Sequence, residues 1–422
     1  MSFPSFFQQD EQRSEDRLTR GLLDLLLRFL RKRLDPKREV ALALSGGNDS
    51  LALFHLLLGC RRYMSVPFHA VYVDHSWRKE SKEEAEALRR LSREAKVPFH
   101  RPVLSPLAGP NLEARYRELR YDALAELRER HSFQAVLLAH HADDQAETLL
   151  KRVCEGASPG ALRGLREERR RGNLLLWRPL LSVRKGDLSR VLARAGVRPF
   201  DDETNRDVRY LRPKIRSRIF PYLEEMFGKG MVGNFLRLGT LFQEVSGYLE
   251  GKMRSIEERC IRGLFGLYLP FPSRFPRLEI RFFLEEKVRA RGGHLSADGI
   301  ARLLQLIEKR APKAVVHAPP LSCVVNGDHL FLLDGEFPDF TFGRWQPEKG
   351  PVTWVDFWKG KVLKGPPGSR VILLRECEPG LRRKILKWYA SRGVPPLFRD
   401  RMPIYISGGN LFPVCLTGEP FF

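Results

Sequence analysis

With 422 residues, 43% of them hydrophobic, the chain is long enough for roughly two to four domains with packed cores, and it reads as an ordinary soluble multidomain protein. Lys and Arg number 73 against 51 Asp and Glu, a formal net charge of +22, which favours a polyanionic partner, most simply nucleic acid, although a generally basic proteome could produce part of it. Six dispersed cysteines (Cys60, Cys154, Cys260, Cys323, Cys377 and Cys415) form no C-x-x-C and no Cys/His cluster of ligand spacing, which argues against a zinc ribbon or a disulfide framework.

Leucines at helical spacing predict an amphipathic helix from Gln12 to Arg33. Its apolar run, Leu22 to Leu30, is short and broken by Asp24 and Arg28, so neither a signal peptide nor a membrane span is expected, and the expected location is cytoplasmic. Strand and helix then alternate. Strands are predicted at Ala41 to Leu44, Phe68 to Val73, Pro98 to Leu104 and Ala135 to Ala139. Helices are predicted after Ser50 and over Lys79 to Lys96, Asn111 to Arg130 and Asp144 to Cys154. Short apolar strands between helices imply a parallel sheet with helices on both faces, in which ligands sit at the carboxyl ends of the strands.

The polar stretch Arg163 to Gly172 is expected to be an exposed loop. From Pro213 the pattern turns helical, with a mainly helical middle region over Met231 to Arg310 and a long helix at Phe235 to Lys252. Ala311 to Asp339 is expected to be β, followed by a linker at Phe340 to Gly350 and a small α+β C-terminal region. The expected domains are 1–222, 223–340 and 351–422.

Chemistry concentrates at three strand ends. After the first strand comes Ser45-Gly46-Gly47-Asn48-Asp49-Ser50. Gly46 and Gly47 let the backbone turn sharply and aim amide N–H groups at an anion, and the following helix adds its positive end. Ser45 and Ser50 offer hydroxyls, and Asp49 can cap the helix or face magnesium. Neither G-x-x-x-x-G-K-[ST] nor G-x-G-x-x-G is present. Asp74-His75 ends the second strand, where a helix cap is the plainer alternative. His140-His141-Ala142-Asp143-Asp144-Gln145-Ala146-Glu147 follows the fourth strand. Adjacent histidines do not give the i, i+4 spacing of a helical zinc site, but Asp144 and Glu147 share a helix face and can hold magnesium or an ammonium group together. An N-cap with acidic first-turn residues would account for Asp143 or Asp144 but not for the doubled histidine. Arg117 and Arg120, about a turn apart, could aim at one phosphate.

Ser45 to Ser50 after a strand resembles the PP-loop of the ATP pyrophosphatases. Together with Asp74-His75 and Arg78, Asn111-Leu112-Glu113 with Arg117 and Arg120, His140 to Thr148, Arg178-Pro179-Leu180-Leu181, Asp202, Asn205, Arg212 and Ile215-Arg216, it resembles the tRNA(Ile)-lysidine synthetase family, densely from about Glu39 to Leu223. Pro213 departs from the expected residue and should only shift a helix start. Leu381 to Tyr389, Val394-Pro395-Pro396 and Arg399-Asp400-Arg401-Met402-Pro403 resemble the C-terminal domain of the longer members.

The resemblance implies an enzyme that uses ATP and Mg2+ to activate C2 of the wobble cytidine, position 34, of a CAU-anticodon tRNA(Ile). Through an adenylated tRNA, free L-lysine is then joined there, with AMP and pyrophosphate released. In this reading Ser45, Gly46, Gly47, Asn48, Asp49, Ser50, Asp74 and His75 bind ATP, with Asp49 and Asp144 near magnesium. Asp144 and Glu147 hold the lysine ammonium or magnesium, and Arg117 stabilises phosphate charge. His140 is either a proton acceptor or a supporting histidine. Arg212, Arg216, Arg382, Arg383, Lys384 and Lys387 contact tRNA, with a solvated basic helix the plainer account of the last four. A PP-loop tRNA thiolase and a non-catalytic tRNA-binding protein are the competing readings; unpaired cysteines count against the first and intact motifs against the second. The oligomeric state, a homodimer included, is left open.

Overall fold

The computed structural model describes residues 17–74, 81–105, 107, 109, 112–200, 211–228, 230–263, 265–334, 358–359, 370–391, 394–395, 399, 403–407 and 410–413. His75, Arg78, Asn111, Asp202, Asn205, the linker at 340–350, Pro396 and 400–402 lie outside the described residues. The chain divides into two compact units, Met1–Ala157 with Ala161–Phe242, and Ser158–Gly160 with Gln243–Phe422.

The first unit is built on a six-stranded sheet in the order β3-β2-β1-β4-β6-β5. The central strand β1 (Val40–Ala43) runs parallel to β2 (Phe68–Val71) on one side and to β4 (Val136–Leu137) on the other. Beyond them β3 (Phe99–His100) and β6 (Leu174–Trp177) continue the parallel sheet, and β5 (Glu168–Arg171) closes it antiparallel to β6. Successive side chains on a strand point to opposite faces, so β1 feeds two cores. Val40 and Leu42 pack with α1 (Arg17–Arg33), α2 (Asn48–Cys60), α3 (Ser81–Glu94) and α7 (Lys185–Arg194). Ala41 packs with Tyr121, Leu124 and Leu127 of α4 (Leu112–His131) on the other face. Helices on both faces explain why the strands read as short unbroken apolar runs.

The exposed loop expected over 163–172 is corrected: Glu168–Arg171 is the edge strand β5. Its Glu-Arg-Arg-Arg sequence has no apolar alternation because both faces are largely exposed, and charge on an edge strand discourages further pairing. Two helices follow the central strands, α5 (Ala142–Cys154) and the short α6 (Pro159–Leu162).

A continuous helical stretch runs through α8 (Leu211–Lys214), a π-turn at Ile215–Ile219 and α9 (Phe220–Phe227). Pro213 sits in the first turn, where its missing N–H costs nothing. Pro221 has no N–H to donate to the carbonyl of Ser217 and would clash with it, and the helix widens at this point, with Phe220 N donating to Ile215 O. The long helix expected at 235–252 is α10 (Met231–Glu257).

In the second unit, β7 (Ile261–Gly263), β8 (Gly266–Pro270), β9 (Ala314–Ala318), β10 (Leu321–Asn326) and β11 (His329–Asp334) form an antiparallel sheet ordered β7-β8-β11-β10-β9. One face packs on α11 (Arg277–Ala290) and α12 (Ala297–Glu308). The other carries Tyr268, Phe331 and Leu333, which pack with Trp358, Ile385 and Tyr389. The stretch expected to be mainly helical, Met231 to Arg310, thus also holds the β7–β8 pair. Gly266 turns it at φ +132°, where a Cβ would run into the Leu332 carbonyl. A small sheet of β12 (Arg370–Leu373), β13 (Pro403–Ser407) and β14 (Asn410–Pro413), with α13 (Pro379–Ser391), completes the α+β end. No helix among the described residues is long and apolar enough to cross a membrane.

Candidate active site

β1 ends at Ala43, and the chain turns through Ser45, Gly46 and Gly47 into α2, whose first residue is Asn48 and whose N-cap is Gly47. Gly46 holds φ +79°, a conformation that costs an L side chain, and a Cβ there would collide with the Phe200 ring. The turn is tied by Ser50: Ser45 N donates to Ser50 Oγ at 3.2 Å, and Ser50 Oγ donates to Gly47 O at 3.0 Å. Ser45 Oγ lies 3.1 Å from Ser50 Oγ. No side chain caps the start of α2, so its first-turn amides have no side-chain acceptor at Gly47. That is the donor set an oligophosphate requires.

Beside this loop, α5 starts with His141 as its N-cap. Asp144 N donates to His141 Nδ1 at 3.3 Å and His141 N donates to Asp144 Oδ2 at 3.1 Å, a reciprocal capping pair. The doubled histidine therefore has a structural cause on its second member, and the cap is His141 rather than Asp143 or Asp144. His141 Nε2 also lies 3.4 Å from Asp49 Oδ2 and 3.5 Å from Asp144 Oδ2, joining the phosphate loop to α5. Burial of the ring opposes its protonation, but the facing carboxylates of Asp49, Asp144 and Asp143 outweigh it and raise the pKa. Reciprocally, burial raises Asp49, and the stronger combined pull of His141, Asn48 and Lys185 leaves its pKa below the ordinary value.

Asp144 and Glu147 do share a face of α5, and the structure places Arg216 on them. Arg216 Nε donates to Glu147 Oε1 at 2.7 Å and Nη2 to Asp144 Oδ1 at 3.4 Å. Glu147 is almost wholly buried; burial raises its pKa against the opposing charge of Arg216. Its second oxygen, Oε2, has no hydrogen-bond partner among the described residues. Asp143 is held by Arg184 Nη2 at 3.2 Å and by the backbone N–H of Lys185 at 2.8 Å.

His140 lies in the opposite environment. Arg178 Nε donates to its Nδ1 at 3.2 Å, and burial together with Arg178, Arg212, Arg120 and Arg117 holds it well below the ordinary histidine range. Arg117 and Arg120 lie 5.9 and 5.8 Å from the Tyr121 ring centre. Asp74 is buried at the end of β2, and its Oδ2 accepts from Arg101 Nε at 3.0 Å and Nη2 at 2.6 Å. Arg212 is exposed on α8. Arg383, Lys384 and Lys387 are exposed on α13 and Arg382 is half-buried, with Ile385 and Tyr389 on the buried side of that helix.

The loop and α5 thus define two poles. Asp49, Asp144 and Glu147 form an oxygen-rich acidic pole whose hard ligands suit Mg2+ or an ammonium group, and the unpartnered Glu147 Oε2 leaves a ligand position there. His140 sits within a cationic pole of Arg117, Arg120, Arg178 and Arg212, suited to phosphate charge. Sequence reasoning gave Arg178 no role of its own, although it stands in the Arg178-Pro179-Leu180-Leu181 motif directly after the apolar strand β6. The role of Arg184 and Lys185 in holding Asp143 carried no signal at all.

The PP-loop domain family ATP_bind_3 matches residues 17–223, the span that holds this strand, glycine turn and helix. Over 432 residues the chain is 30% identical to the tRNA(Ile)-lysidine synthase of Protochlamydia amoebophila, covering 94% of this chain and 93% of that protein. It is 42% identical over 222 residues to the tRNA(Ile)-lysidine synthase of Chlamydia pneumoniae, covering 51% and 67% respectively. Among solved structures it is similar to a U34-tRNA thiolase of Methanococcus maripaludis, with a TM-score of 0.46 and 16% identity over 54% of this chain and 79% of that one. The chain belongs to the tRNA(Ile)-lysidine synthase family, and it is a ligase-type, ATP-using enzyme of tRNA modification.

Proposed function

We propose that the chain joins L-lysine to C2 of the wobble cytidine, position 34, of a CAU-anticodon tRNA(Ile), converting ATP to AMP and pyrophosphate through an adenylated tRNA. The observation that carries this reading is the gathering of Asp49, Asp144 and Glu147 beside the Ser45–Ser50 turn, with His141 Nε2 3.4 Å from Asp49 and 3.5 Å from Asp144.

The C2 oxygen of cytidine is a poor leaving group. Its attack on the α-phosphorus of ATP, with departure of pyrophosphate, turns it into a good one. The ε-amine of lysine then attacks C2, and AMP leaves with the C2 oxygen. In the first step Ser45, Gly46, Gly47, Asn48 and Ser50 cradle the phosphates through the turn amides and hydroxyls, and Asp74 and His75 complete ATP binding. Arg117 stabilises the charge that develops on the transferred phosphate. Mg2+, when bound, neutralises the departing pyrophosphate, and Asp49 and Asp144 are the residues that would hold it. In the second step Asp144 and Glu147 orient the lysine, with its ammonium in the position that Arg216 holds here. His140, whose Nδ1 accepts from Arg178 Nε, presents Nε2–H and serves as the supporting histidine rather than the proton acceptor, so the amine proton passes to the Asp144 and Glu147 carboxylates that hold it.

On this reading 1–222 is the catalytic domain, 223–340 and 351–422 are tRNA-binding, and Arg212, Arg382, Arg383, Lys384 and Lys387 meet tRNA phosphates, whereas Arg216, expected among them, is engaged by Glu147 and Asp144. The exposed basic face of α13 supports that assignment. The cytoplasm is the proposed location. Sulfur insertion is the weaker alternative: Cys60 and Cys323 are buried, and the described residues hold no cysteine grouping of ligand geometry. Incubation of the full chain with ATP, Mg2+, labelled lysine and unmodified CAU-anticodon transcripts tests the proposal. Label in the isoleucine transcript and not in a methionine transcript is expected; label in neither, or in both, contradicts it.

A further inference from the structure

Three imidazoles meet in the first unit without belonging to the constellation above. His69 lies on β2 opposite Ala41, His100 ends β3 opposite Val71, and His131 ends α4. The His69 and His100 rings lie nearly parallel, edge to edge, with centres 5.1 Å apart, and the His131 ring lies 4.4 Å from His100 and 5.8 Å from His69. One nitrogen from each comes within 4.8 Å of the others. Phe133 backs the group, its ring 4.9 Å from His69, 6.2 Å from His100 and 5.2 Å from His131.

The hydrogen bonding fixes which atoms face one another. Glu39 Oε1 lies 3.1 Å from His69 Nε2, and a carboxylate can only accept there, so that nitrogen carries the proton. His69 Nδ1 is then a lone pair, directed at His100 Nε2 2.8 Å away. A histidine whose outer N–H is held by a carboxylate while its inner nitrogen faces a second histidine has the outer-shell support of metal-binding imidazoles.

We propose that His69 Nδ1, His100 Nε2 and His131 form a binding site for a first-row divalent transition metal such as Zn2+, with Glu39 as the carboxylate that orients His69. Three neutral nitrogens select such an ion over Mg2+, which prefers oxygen ligands. With metal–nitrogen distances of about 2.0–2.1 Å, tetrahedral ligands stand roughly 3.3 Å apart, so the His69 and His100 nitrogens separate by about half an ångström while each ring turns its lone pair from the other nitrogen toward the ion. His100 moves its Nε2 proton to Nδ1 to free the lone pair, and no net proton is released. His131, half-buried at a helix end, closes the remaining distance by turning its side chain. Arg130 is the neighbouring cation that opposes the ion, and Glu39 offsets it. A bound ion would tie β2, β3 and the end of α4 together.

The test is titration of the chelator-treated full chain with Co2+ alone, followed by Zn2+. The expected result is one equivalent of Co2+ with the intense visible absorption of low coordination number, displaced by one equivalent of Zn2+ and untouched by excess Mg2+. The paired change His100→Gln with His131→Gln should abolish this absorption while leaving the far-ultraviolet dichroism unchanged. Glu39→Gln, at an exposed position, should weaken binding about 10–100-fold. Absence of saturable Co2+ and Zn2+ uptake by the wild-type chain, or uptake unaltered in both variants, overturns the proposal.

Discussion

Arg216 donates to Glu147 across 69 residues of sequence, Nε to Oε1 at 2.7 Å, and so places a cation on the buried carboxylate of α5. The π-turn before Pro221 carries this arginine, which links a local helix defect to the acidic pole. Removing the guanidinium leaves Glu147 buried and uncompensated. Arg216→Ala should lower stability by about 1–3 kcal/mol, read from the midpoint of chemical denaturation. Glu147→Gln in the same background should recover most of that loss, because the charge to be compensated is gone; failure to recover would place the effect elsewhere.

Asp144→Asn removes a carboxylate from the acidic pole while keeping its shape. Lysine incorporation should fall about 10²–10³-fold, with tRNA affinity nearly unchanged. Equal activity would remove Asp144 from the site.

The adjacent histidines should give opposite pH dependence. His141 has its folded pKa raised, so its contribution to stability is fully present below about 6.5 and is lost as pH rises through the folded value. His140 has its folded pKa depressed, so its contribution is present above about 6.5 and is lost as pH falls toward the folded value. Denaturation of His141→Gln across pH should therefore show less loss of stability on the alkaline side than wild type. His140→Gln should show less loss on the acid side. Matching profiles for the two variants would contradict the two-pole electrostatics.

Gly46→Ala meets two obstacles, a positive φ and the Phe200 ring. The backbone conformation alone costs roughly 1–2 kcal/mol, and moving Phe200 adds to it. Thermal melting should fall, and ATP affinity should fall with it because the turn amides are displaced.

Arg383, Lys384 and Lys387 project from α13 opposite Ile385 and Tyr389. If they meet phosphates, the triple alanine variant should reduce the slope of log K against log salt by about 2–3 for tRNA binding. An unchanged slope would make this a solvated helix face.

The phosphate turn and parallel sheet were legible because Ser45 to Ser50 follows an apolar strand and each core strand is buried on both faces. The edge strand β5 was not, since Glu168 to Arg171 offers only charge. Nor were β7 and β8, where Ile261 to Pro270 is apolar at nearly every position and strand period cannot be told from helix period. At the site, Asp49, Asp144 and Glu147 could be named from local spacing. The capping role of His141 needed backbone geometry, and the pairing of Arg216 with Glu147 needed a tertiary contact that no local pattern encodes.

The most direct test of the account is the amount of AMP formed per lysine incorporated when the full chain acts on unmodified isoleucine transcript. One AMP and one pyrophosphate should form for each lysine joined, and none without tRNA. Incorporation accompanied by ADP and phosphate would contradict activation at the α-phosphorus and with it the assignment of the loop and its two poles.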